Sequence, residues 1–143
     1  MTELPESLAD IRDDFLALGD SDRLELLLDF SNGLPNLPEA YRDRTDLLER
    51  VEECQSPVFI LTEVTDGVVS VHATAPAEAP TTRGFASILA QGLSGLTVDT
   101  VLAVPDDFPF QIGLTKAVSP LRLRGMSGML WRIKRQIAEK AAS

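Results

Sequence analysis

Cysteine and histidine each occur once in the 143 residues, as Cys54 and His72. A single thiol excludes an internal disulfide. One subunit also cannot supply the four cysteines of a protein-only iron–sulfur cluster or zinc site, so neither a metal nor a cofactor is expected on this chain. Long apolar runs are missing too. No stretch approaches the ~20 residues of a membrane span, and the N-terminus carries acids where a signal peptide carries basic residues. A cytoplasmic protein in a reducing environment is the expectation. Basic residues are scarce, 13 against 22 acids, and the formal net charge of −9 repels phosphate-rich partners. Neither nucleic acid nor membrane is an expected partner.

What is present fits one domain spanning residues 1–143. Hydrophobic residues make up 44% and charged residues 24% of the chain, a globular balance, and the length suffices to bury one core without staples. The charge is unevenly placed. Residues 1–53 hold 15 acids and 5 basic residues, whereas residues 116–143 hold 7 basic residues and 1 acid. Such a basic end is either a solvated helix face or a source of cations for an acidic partner or an anionic thiol.

Leu8, Ile11, Phe15 and Leu18 recur at helical spacing, which predicts a helix over residues 5–18. Asp20 or Ser21 is the expected cap of a second helix that turns Leu24, Leu27 and Leu28 inward and stops at Gly33. Two β-rich runs, 58–64 and 68–75, flank Asp66-Gly67, a strong hairpin signal. That register sets Val64 beside Val69, Thr62 beside Val71 and Ile60 beside Ala73, leaving Glu63, Ser70, His72 and Thr74 on a polar face. A short third strand is expected within 47–52, because a lone hairpin is marginal. Phe85, Ile88, Leu89 and Leu93 mark a helix, Thr97 opens a shorter one, and Ser119-Pro120 launches a long final helix with Met126, Met129, Leu130, Ile133 and Ile137 inside. The order predicts an α+β fold, a small antiparallel three-stranded meander packed against helices.

Cys54 has three readings: a buried inert residue, a redox sensor, or a nucleophile that takes something from a partner. A Cys54–His72 nucleophile–base pair is disfavoured by the hairpin register. His72 falls opposite Leu61, roughly 23 Å of extended chain beyond Cys54 at ~3.3 Å per residue. Glu52 and Glu53 raise the pKa of a nearby thiol, so a working nucleophile needs a compensating cation, for which Arg122 and Arg124 are the candidates. Asp106, Asp107 and Glu78 lack metal-ligand spacing. Trp131 reads equally as an edge-of-core aromatic and as a partner contact.

Cys54-Gln55-Ser56 ahead of a strand resembles the SufE family of sulfur-acceptor proteins. Gly33-Leu34-Pro35, Arg83-Gly84-Phe85-Ala86 and Ser119-Pro120-Leu121-Arg122 with Gly125 and Met129 resemble further family segments, in order and distance. Glu53 replaces the family's glycine before the cysteine, and Ser119 and Leu121 replace its threonine and serine. The resemblance implies a SufE/NifU-like fold with the cysteine at a loop tip over a sheltered pocket. It implies that Cys54 takes persulfide sulfur from a pyridoxal-phosphate cysteine desulfurase of the SufS type, stimulating it. The sulfur then passes to an iron–sulfur scaffold complex, and Arg122 is the matching candidate stabiliser of the thiolate or persulfide. One cysteine favours a carrier over a cluster scaffold. The alternatives are a non-carrier that regulates a desulfurase by contact, and an independent thiol enzyme or redox sensor.

Overall fold

A computed structural model describes residues 4–142. Helices α1 (Glu6–Leu16) and α2 (Asp20–Asn32) come first, followed by strands β1 (Glu49–Arg50), β2 (Phe59–Thr65) and β3 (Val68–Thr74). Helices α3 (Pro80–Leu93), α4 (Val98–Leu102) and α5 (Pro120–Ala142) complete the order. The strands form one antiparallel sheet in the order β1-β2-β3, the predicted meander.

The hairpin follows the register read from its turn: Val64 faces Val69, Thr62 faces Val71 and Ile60 faces Ala73. Asp66 and Gly67 take φ of 53° and 78°, the two positive angles that a tight two-residue hairpin turn requires. One sheet face, carrying Ile60, Thr62, Val69, Val71 and Ala73, is buried. Helices α3 and α5 pack on it, α3 against β3 and α5 against β2. The other face is less open than its polar sequence suggests. Tyr41, on the connection between α2 and β1, has its ring tilted against that of His72 with centroids 5.9 Å apart, and it donates a hydrogen bond to Glu63. His72 in turn lies 2.7 Å from Glu63, so it is a half-buried partner of that carboxylate rather than a free surface histidine.

Two arginines tie separate segments together through backbone carbonyls. Arg23 donates to the carbonyls of Phe15 and Leu16 at the end of α1 and to that of Gly113, tying three segments together. Arg83 donates to the carbonyls of Ser31 and Ala75, joining the end of α2 to the end of β3. Its neighbour Gly84 lies against α2 so closely that a Cβ would stand 2.7 Å from the Leu27 carbonyl oxygen. The Arg83-Gly84-Phe85 segment thus supplies a clamp, a close approach and a core side chain.

The second helix departs from expectation. Leu27 and Ser31 are buried, whereas Leu24 and Leu28 are 38% and 43% exposed. The inward stripe is narrow because α2 packs mainly against α3, and its outer leucines are partly exposed to solvent. Its cap is Gly19, with no side-chain cap bond from Asp20 or Ser21. At α5 the expected cap is present: Ser119 accepts from the Arg122 amide through both its carbonyl and its hydroxyl. Met126, Met129, Leu130, Ile133 and Ile137 are all buried, as the stripe predicted.

Candidate functional site

Cys54 sits in a loop closed at its base by a hydrogen bond from the Val51 amide to the Val58 carbonyl, which extends the β1–β2 pairing by one step. Inside the loop the Cys54 amide donates to the Val51 carbonyl, turning the chain back on itself. The side chain points inward and is 8% exposed. It lies over α5 at Gly125, where a Cβ would stand 2.9 Å from the sulfur.

A cavity of about 400 Å³ opens beside the thiol. The cysteine loop contributes Cys54, Gln55 and Ser56 to its walls, the start of α3 contributes Thr81 and Thr82, and the start of α5 contributes Arg122. Arg122 is exposed, and its Nη1 stands 3.5 Å from the Thr81 hydroxyl across the cavity. Arg124 is exposed and is not part of the lining. Glu78 lies on the wall and brings a second carboxylate besides Glu53. The long α5 therefore serves the site twice, placing Arg122 on one wall and the bare backbone of Gly125 under the sulfur.

A further cation near the thiol is Arg132, two turns beyond Gly125 on the same helix. Its Nη1 donates to the Glu53 carboxylate at 2.6 Å and to the Gly128 carbonyl at 3.4 Å. Its Nε lies 3.2 Å from Glu49, which also pairs with Arg135 and accepts from Gln136. Glu49 consequently sits below the usual carboxylate range: burial pushes it up, but Gln136, Arg135 and Arg132 together outweigh that. Cys54 goes the other way. Burial, with Glu53 adding to it and Arg132 opposing it, pushes the thiol up to about 11.

Sequence reasoning looked for the compensating cation near the start of α5 and missed Arg132. The signal existed: Gly125, Gly128 and Arg132 recur at three- and four-residue steps, so one helix face offers two bare patches and a guanidinium to the preceding loop. His72 is paired with Glu63 and is not part of the cavity lining, so no imidazole base serves the thiol there. Asp106 pairs with Lys134 at 2.7 Å, and Asp107 accepts from Gln111. Among the described residues no group of three or more His, Cys, Asp and Glu could hold a metal ion, and no helix is long and apolar enough to cross a membrane.

These features define a class: an α+β protein with a small meander sheet that sets a lone, sheltered thiol in the wall of a polar cavity. Over residues 9–137 the chain matches the model of SufE, an Fe-S metabolism associated domain, and it belongs to that family. It is similar to a SufE-like protein of Mycobacterium tuberculosis, at 51% identity over 137 residues, 95% of this chain and 94% of the relative. It is 30% identical over 129 residues to SufE-like protein 1, chloroplastic/mitochondrial, of Arabidopsis thaliana, spanning 90% of this chain and 34% of that longer protein. The solution structure of a hypothetical protein from Thermus thermophilus superposes with a TM-score of 0.87 at 35% identity, covering 99% of this chain and 100% of that one. Family membership ties the protein to iron–sulfur metabolism.

Proposed function

We propose that the protein is a single-domain sulfur carrier. Cys54 takes sulfane sulfur from the persulfide of a cysteine desulfurase and passes it to an iron–sulfur scaffold complex. The observation that carries this reading is the position of the chain's single thiol, buried in the wall of a cavity of about 400 Å³ rather than in the middle of the core.

The chemistry is a thiol–disulfide exchange. The Cys54 thiolate attacks the outer sulfur of the donor persulfide, the donor S–S bond breaks, and the donor cysteine leaves as thiolate with the bonding pair. Cys54 ends as a persulfide, and one negative charge is conserved from reactants to products. No oxidant is consumed, because the sulfane sulfur keeps its oxidation level. Arg122 on the cavity wall supplies a cation beside the reacting sulfurs, and Thr81, Thr82 and Ser56 supply hydroxyls that can donate to them. The pocket limits access of reductants to the loaded sulfur.

Cysteine desulfurase turnover is measured with wild-type and Cys54→Ser protein, together with intact-mass analysis of the wild type before and after a thiol reductant. A reversible gain of one sulfur on Cys54, and near-complete loss of stimulation in the serine variant, are expected. Full stimulation by Cys54→Ser supports contact regulation instead.

A further inference from the structure

Glu53, immediately before Cys54, is bound to α5 in a way that the sulfur chemistry above does not require. The Arg132 side chain is 10% exposed, and a guanidinium is taken out of water only when its charge is met. It is met by Glu49 at 3.2 Å and Glu53 at 2.6 Å. These two acids differ in what else holds them. Glu49 lies in β1 and has Arg135 and Gln136 as further partners. Glu53 lies in a loop and, among the described residues, pairs with Arg132 alone. The glutamate side chain lies flat across Gly128, where a Cβ would overlap its carboxylate.

We propose that Arg132 is a positioning residue for Cys54: its ion pair with Glu53 across Gly128 latches the cysteine loop onto α5 and holds the sulfur inward over Gly125. Adjacent Cα atoms are ~3.8 Å apart, so an outward movement of the loop backbone at Cys54 by more than that distance draws Glu53 away from Arg132. The pair therefore sets how often the thiol is presented. This inference rests on the sulfur-carrier reading for its purpose, but the latch itself is a property of the isolated chain. The charged groups around the thiol are Glu53 on its own loop, Arg132 and Arg122 on α5, and Glu78 at the start of α3.

Two measurements on the full chain separate positioning from simple electrostatics. Thiolate absorbance near 240 nm gives the titration midpoint of Cys54. The iodoacetamide alkylation rate, divided by the thiolate fraction, gives the population of accessible thiol. Glu53→Gln is expected to raise that population about fivefold, the upper end for an ion pair of this exposure, and to lower the midpoint because a negative charge is gone. Arg132→Gln is expected to raise the population by a similar factor but to raise the midpoint, since Glu53 is left unopposed. The double variant is expected to match the single variants rather than multiply them, because both remove one device. Arg132→Lys, which keeps the charge but not the fork, is expected to recover part of the wild-type protection.

Unchanged accessibility in Glu53→Gln, or effects that multiply in the double variant, overturns the latch. Glu53→Gln removes only the more exposed partner, so it decides the matter even if Arg132→Gln fails to fold. Persulfide formation on wild-type Cys54 during desulfurase turnover is scored separately. Its absence, with the alkylation results as expected, defeats the carrier reading and leaves the latch standing. Its presence with unresponsive alkylation defeats the latch alone.

Discussion

The sulfur of Cys54 rests on the backbone of Gly125, in a gap that an ideal Cβ would close to 2.9 Å. The helix residue beneath the thiol must be small for the loop to lie where it does. Alanine there gains ~1 kcal/mol of helix propensity and loses about 1–3 kcal/mol to overpacking. Gly125→Ala is therefore expected to destabilise by no more than about 2 kcal/mol in urea unfolding, while pushing the sulfur off the helix and speeding its alkylation. A large destabilisation without faster alkylation would mean that the thiol has no outward path.

The thiol's own titration gives a second expectation. Burial and Glu53 raise it to about 11 from 9.0. Alkylation of the isolated protein should be slow at neutral pH and keep climbing through pH 9 to 11 rather than levelling near 9. The same shift affects stability. The folded chain holds the thiol proton more tightly than the unfolded chain, so this contribution is present below about pH 9 and is lost as pH rises towards 11. Comparing unfolding of wild type and Cys54→Ala at pH 8 and pH 10.5 isolates it. A wild type that loses no stability relative to the variant over that range would show the thiol to be unshifted.

Arg122 faces the cavity with an exposed guanidinium, where the negative charge that passes from the Cys54 thiolate to the leaving donor sulfur needs a counter-charge. Arg122→Ala is expected to slow persulfide formation on Cys54 by roughly tenfold, and Arg122→Lys to recover part of that rate. The thiolate titration of the unloaded protein should move less in Arg122→Ala than in Arg132→Gln. Equal rates for wild type and Arg122→Ala would remove this arginine from the transfer step.

Thr62 offers a test remote from the site. Its backbone amide donates to Gln136 at 2.7 Å, but among the described residues its buried hydroxyl has no hydrogen-bond partner. Valine keeps the shape, suits a strand and removes the unmet polar atom. Thr62→Val is expected to stabilise by about 1 kcal/mol. A loss of stability of that size would reveal a partner for the hydroxyl, such as a bound water.

Much of this arrangement was legible in the chain. Asp66-Gly67 determined the hairpin register, because a two-residue turn with positive φ leaves one pairing, and that register kept His72 away from Cys54. The stripe from Met126 to Ile137 identified the buried face of α5. Leu24 and Leu28 misled, since helical spacing reports an apolar face without saying how wide a neighbour will cover it. Arg132 was illegible as a site residue for a related reason. It lies 78 positions from Cys54, and only the packing of α5 beneath the loop brings it to Glu53. The short polar turn that places Tyr41 over His72 has no periodicity to read.

The central strand also has consequences for the fate of the chain before it meets any partner. Because β1 pairs with β2 only at Phe59 and Ile60, the backbone of Thr62 has no strand beside it on that flank. Side chains from α5 stand in for the missing strand: Gln136 accepts from the Thr62 amide, and Lys140 donates to its carbonyl. On the far flank, Val69 exchanges hydrogen bonds with Leu96 and Gly95, and the Val71 amide donates to the Ser94 hydroxyl. The Thr62 step on one margin of the hairpin and the Val69–Val71 stretch on the other are thus occupied by non-strand groups, which shortens the template for edge-to-edge aggregation. On the β2 side that protection comes from the last turns of α5, so a nascent chain still lacking its C-terminal residues would expose the flank and be at its most aggregation-prone.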